Sequence, residues 1–162
     1  MGDVDQLYSV RSLFYLGHYQ QALQESSALP RSLSPHLKLE LKTFLIRCHL
    51  SLLDTASASR LIDSSDAHPA IKACDLLCGY LSKASRPADT LNALGEFLSD
   101  PGSAGDPTAQ IIAAQIYMHE NMTKEAMQLI HLGQSMEALA VGVQIYLGVS
   151  LYVKGCASVR WT

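Results

Sequence analysis

The stretch Phe14-Tyr15-Leu16-Gly17-His18-Tyr19-Gln20-Gln21-Ala22-Leu23 leaves a chain few ways to fold. An apolar helical run stops at Gly17, and a second amphipathic run starts with Tyr19, Ala22 and Leu23. Glycine adopts the left-handed conformation that ends one helix and reverses the chain. Ala22 is small, so the second helix can lie close on the first. The arrangement recurs. A small or apolar residue stands in an equivalent second-helix context at Ala22, Ala58, Leu91 and Ala126, at spacings of 36, 33 and 35 residues. Asn121-Met122-Thr123-Lys124-Glu125-Ala126-Met127 is the clearest later copy, and the middle two are degenerate.

A helix-turn-helix with a period of about 34 residues is the mark of a tetratricopeptide repeat. The inner part of that signature is present. The Trp and Leu-Gly of its first helix are absent, with Gln6, Ser9 and Val10 in their places. Each pair alone is too small to bury its apolar face, so neighbours must stack. The fold class expected is all-α, a tetratricopeptide-like α-solenoid of antiparallel helix pairs. No stretch shows the alternation of a strand.

In chain order, helices are expected from about Val4 to Leu16 and from Tyr19 to about Leu29, where Pro30 closes the repeat. Ser34 and Pro35 reopen it as N-cap and first helical residue. Leu41, Phe44, Leu45, Cys48 and Leu52 then form one buried stripe. Asp54-Thr55 turns into a short helix through Ile62. A third pair begins at Asp66 or Ala67, with Ile71, Cys74, Cys78 and Leu81 facing inward. Ser85-Arg86-Pro87 breaks that helix and starts one carrying Leu91, Leu94 and Leu98. The segment from Asp100 to Pro107 is read as a solvated connector, since it lacks a Gly-Lys-Ser/Thr run and its acids would repel phosphate. Asp106 and Pro107 cap a fourth pair with Ile112, Ala113 and Ile116 inward. Ser135 caps a fifth start, whose stripe is Met136, Leu139, Ala140, Val143 and Leu147.

Composition removes several functions. Hydrophobic residues are 48% and charged residues 17%, which argues against disorder. The net charge of −3 offers nothing to a phosphate backbone, so nucleic acid is not an expected partner. Met1-Gly2-Asp3-Val4-Asp5 has neither the basic region nor the apolar core of a signal peptide. Gln6 replaces the Ser or Thr that myristoylation of Gly2 requires. A reducing cytosol is therefore expected, without disulfides among Cys48, Cys74, Cys78 and Cys156. Cys74 and Cys78 share a helix face, and core packing is expected there rather than metal binding. No protease, hydrolase or kinase signature is present. The histidines His18, His36, His49, His68, His119 and His131 are scattered, so no catalytic, cofactor or metal residue is assigned.

The run Ala138 to Val153 carries no charge. A tail anchor flanked by Lys154 and Arg160 is one reading, but a membrane span needs about 18–20 apolar residues. The stripe to Leu147 favours a solenoid helix left uncovered, which would make the chain prone to self-association.

Leu13 to Leu23, Leu45-Ile46-Arg47-Cys48 and Ala113 to Leu147 resemble the epsilon subunit of coatomer, the COPI vesicle coat. Ile116-Tyr117-Met118-His119 and Gly133-Gln134-Ser135-Met136-Glu137 are the most specific pieces. The resemblance covers residues 1–147, read as tetratricopeptide-like repeats. Residues 148–162 read as a divergent tail where the family carries further repeats, as a truncated or alternatively spliced form would. The resemblance implies a structural coat subunit and no enzyme. It implies packing on the coatomer alpha subunit and contact with the other coat subunits. The implied role is retrograde Golgi-to-ER and intra-Golgi transport, peripheral on the cytosolic face of Golgi and vesicle membranes. No binding residue carries over. The alternative is a tetratricopeptide scaffold or co-chaperone-like module that grips a peptide carboxylate. It would use Arg11, Lys42, Arg47 and Lys72, whose spacing follows no repeat.

Overall fold

A computed structural model describes residues 5–30, 32–63 and 65–132 of the chain. All regular structure among them is helical. The chain divides into two compact units, Met1–Arg86 and Pro87–Thr162. The first holds α1 (Tyr8–Tyr15), α2 (Tyr19–Ser26), α3 (Pro35–Ser51), α4 (Thr55–Leu61) and α5 (Pro69–Leu81). The second holds α6 (Pro87–Ser99), α7 (Pro101–Ala104), α8 (Pro107–His119) and α9 (Thr123–Leu132). The fifth start at Ser135, the uncharged run and the tail lie outside the described residues.

Local chemistry sets most helix starts. Five of the six prolines stand at the first residue of a helix, namely α3, α5, α6, α7 and α8. Proline suits that position because its missing N–H would have no helical partner there. The residue before it caps the helix in four cases. Ser34, Asp100 and Asp106 accept from the backbone N–H three residues on, at 3.3, 2.9 and 2.8 Å. His68 Nδ1 accepts from Ala70 N at 3.3 Å. The third first helix thus opens at Pro69, later than Asp66 or Ala67, because Asp66 is held in a turn by the N–H of His68. Asp5 acts in the same way upstream. It accepts from Leu7 N at 3.1 Å and delays α1 to Tyr8. At the other end of the first pair, Ser26 and Ser27 both donate to the Leu23 carbonyl and stop α2 at Ser26, short of Leu29.

The four turns that end α1, α3, α5 and α8 share one backbone design. One residue in each has positive φ: Gly17 at 79°, Leu53 at 59°, Lys83 at 58° and Asn121 at 60°. In each turn the N–H of the next residue reaches back five positions, as His18 to Leu13, Asp54 to His49, Ala84 to Gly79 and Met122 to Tyr117. The positive-φ residue itself donates three positions back, to Phe14, Leu50, Tyr80 and Met118. This paired bonding is the Schellman motif, which satisfies carbonyls that the helix end leaves open.

Behind these turns the repeat is sharper than its sequence. The fourth residue of α2, α4, α6 and α9 is Ala22, Ala58, Thr90 and Ala126. Each is buried, with exposures of 0, 0, 2 and 0%. The expected Leu91 is off by one. Thr90 occupies the tight position and Leu91 is only half-buried.

In the first unit α1 and α2 pack on α3, and α3 also packs on α4 and α5. The core around the first pair holds Val10, Phe14, Ala22, Phe44 and Cys48, with Leu13, Tyr19, Leu23, Leu29 and Leu41 against it. Phe14 meets Phe44 edge-to-face at 5.1 Å and Tyr19 at 5.6 Å, arrangements favoured by the ring quadrupole. The single stripe expected on α3 is not what buries it. Thr43, Phe44, Ile46, Arg47, Cys48 and Leu50 are all buried, because four neighbouring helices surround α3 rather than one. Leu52, expected in the stripe, is exposed, since α3 ends at Ser51 and Leu52 lies in the turn.

In the second unit α6 packs on α7 and α8, and α8 packs on α9. Ile112, Ala113 and Ile116 are fully buried as expected, and so are Ala109, Ile111 and Ala114. The segment after α6 is more than a solvated connector. It forms the one-turn α7, buries Ser103, and has the Ala104 carbonyl accept from Gln110 Nε2 at 2.6 Å.

Candidate interaction surface

The ionisable groups singled out in the sequence are mostly consumed inside the fold. Arg11 on α1 donates to Asp5 at 2.6 Å and to Glu40 on α3 at 2.7 Å. Its hydrogen bond to Glu40 raises its pKa above the ordinary arginine value. Lys42 on α3 pairs with Asp66 at 3.1 Å. The backbone N–H of His68, followed by Lys42, holds the Asp66 carboxyl below the usual range. Arg47 is buried, with its guanidinium 4.6 Å from the Phe14 ring centre and 5.7 Å from that of Phe44. Cation–π stacking over aromatic faces compensates part of the charge's lost hydration. Lys72 on α5 is exposed. Three of the four cations proposed for a carboxylate clamp are thus engaged within the first unit.

Among the described residues the cysteines lie in the core. Cys48, Cys74 and Cys78 are buried free thiols. Burial pushes the Cys48 thiol up to about 11, against the opposing charge of Arg47. Burial, then Asp75, raises Cys78, whose Sγ donates to the Thr55 carbonyl at 3.5 Å and ties α5 to the start of α4. A raised pKa keeps a thiol protonated and a poor nucleophile or ligand at neutral pH. Among the described residues no group of three or more His, Cys, Asp or Glu converges to hold a metal. His18 and His36 are exposed, and His49 Nδ1 lies 3.4 Å from Asp54 Oδ2 at the α3–α4 turn.

Among the polar and charged residues of the surface stand a few exposed large apolar side chains. Leu16 is 70% exposed at the end of α1, and Leu53 is 72% exposed beside Leu52 at the end of α3. Tyr8 and Tyr15 on α1 are exposed as well. These leucines and tyrosines offer contact area to another protein. Sequence reasoning missed Leu52 and Leu53, because apolar periodicity does not reveal where a helix stops. Among the described residues no helix is long and apolar enough to cross a membrane.

The coatomer epsilon subunit family model matches residues 3–151. Coatomer subunit epsilon-2 of Arabidopsis thaliana is 34% identical over 143 residues, which is 88% of this chain and 48% of that protein. Coatomer subunit epsilon-1 of the same plant is 33% identical over 147 residues, 91% of this chain and 49% of that protein. Coatomer subunit epsilon of Dictyostelium discoideum is 30% identical over 153 residues, 90% of this chain and 50% of that protein. The chain therefore spans about half the length of the curated relatives it matches. With a family match that runs through nearly all of its length and helix pairs built on a shared turn, the chain belongs to the coatomer epsilon subunit family.

Proposed function

We propose that this chain is a structural subunit of the COPI vesicle coat, a protein–protein adaptor and not an enzyme. The observation that carries the reading is the family match over residues 3–151. The fold supports it. Arg11 is spent on joining α1 to α3, and the exposed leucines Leu16, Leu52 and Leu53 stand at helix-pair turns. In this role the chain packs on the coatomer alpha subunit and serves retrograde Golgi-to-ER and intra-Golgi transport. It sits on the cytosolic face of Golgi and vesicle membranes through the other coat subunits rather than by an insertion of its own. No cofactor enters the role.

The test is a pull-down of the alpha subunit's C-terminal part by the full 162-residue chain, with a full-length relative alongside. Retention by both supports the reading. Retention by the full-length relative alone would assign alpha binding to the half that this chain does not span. In a second measurement, tight binding to protein-free liposomes would overturn the indirect membrane association.

A further inference from the structure

We draw no further inference here: the strongest candidate, the exposed leucine surface at the helix-pair turns of the first unit formed by Leu16, Leu52 and Leu53, is an apolar face for which nothing in the structure shows what covers it.

Discussion

Around α1 and α2 the core is aromatic, with Phe14, Tyr19 and Phe44 gathered near Ala22 and roofed by Arg47. Around α8 and α9 it is made of Ala114, Ala126 and Ile130, with Tyr117 and Met118 at its edge. The two pairs nonetheless share the Schellman turn and the buried alanine in the fourth position of the second helix. The difference teaches which parts of the repeat are fixed. Backbone reversal and close approach of the second helix are retained, while the opposing side chains vary with what neighbouring helices leave to fill. A large ring fills the space left among three helices, and alanines let two backbones come close.

The sharpest way to break this comparison is to empty one core and overfill the other. Phe14→Ala removes the ring that touches Tyr19, Phe44 and Arg47 together. Urea denaturation followed by circular dichroism is expected to show a loss of about 3–5 kcal/mol. A loss well under 1 kcal/mol would mean that the aromatic cluster does not hold the first pair. Ala126→Leu tests the opposite fault, because Ala126 is fully buried beside Ala114. Its expected cost is about 1–3 kcal/mol from overpacking. Leucine accepted there without cost would show that α8 and α9 are not closely apposed. Thr90→Leu should behave in the same way, whereas Leu91→Ala, at the half-buried neighbour, should cost less. If the order reversed, the register placing Thr90 at the tight position would be wrong.

The turns offer a smaller and oppositely signed pair. At Gly17 a Cβ would meet nothing within 4 Å, so Gly17→Ala is penalised only through its φ of 79°. The expected loss is about 1–2 kcal/mol. Leu53 already pays that strain at φ 59°. Leu53→Gly relieves it but loosens the unfolded chain, leaving an expected net gain of up to about 1 kcal/mol. Thermal melts of the two variants moving in the same direction would contradict a shared left-handed turn.

The smallest expected effect is a pH dependence confined to one of the two second helices of the first unit. Asp54 caps α4 by accepting from Ser57 N at 3.0 Å, whereas His18 gives α2 no side-chain cap bond. Hydrogen bonds from Ser57 hold the Asp54 carboxyl below its ordinary value, with His49 adding to the effect. A depressed carboxylate stabilises the fold above its unfolded pKa, about 3.9, and that contribution is lost as the pH falls through the lower folded value. Protection factors of the α4 amides, taken against the intrinsic exchange rate at each pH, are expected to fall on acidification in the native protein. Asp54→Asn keeps an acceptor at the cap and should flatten that response. An unchanged acid response in the variant would place the titrating group elsewhere.

The parts of this fold that could be read from sequence are those fixed by neighbours along the chain. Ser34-Pro35 and Asp106-Pro107 announce helix starts because a side-chain oxygen and an N–H three residues away need nothing else to meet. Gly17 announces a reversal because glycine alone takes positive φ without strain. The two-helix period and the family resemblance follow from the same short patterns. Asn121 signals the same reversal more weakly, and Leu53 and Lys83 make it with residues that do not advertise it, so the turn common to all four becomes visible only in the backbone.

What the tertiary structure alone decided is which side chains face neighbours. α3 is buried around its girth by four helices, two before it and two after it in the chain, so Arg47 lies inside between two rings and Leu52 lies outside. Thr90 rather than Leu91 fills the tight position because helix phase is set by where the preceding turn releases the chain and by what packs opposite. Capping energies act over three or four residues and are written locally. Burial is a property of the partners that surround a residue, and those are known only once the chain has folded.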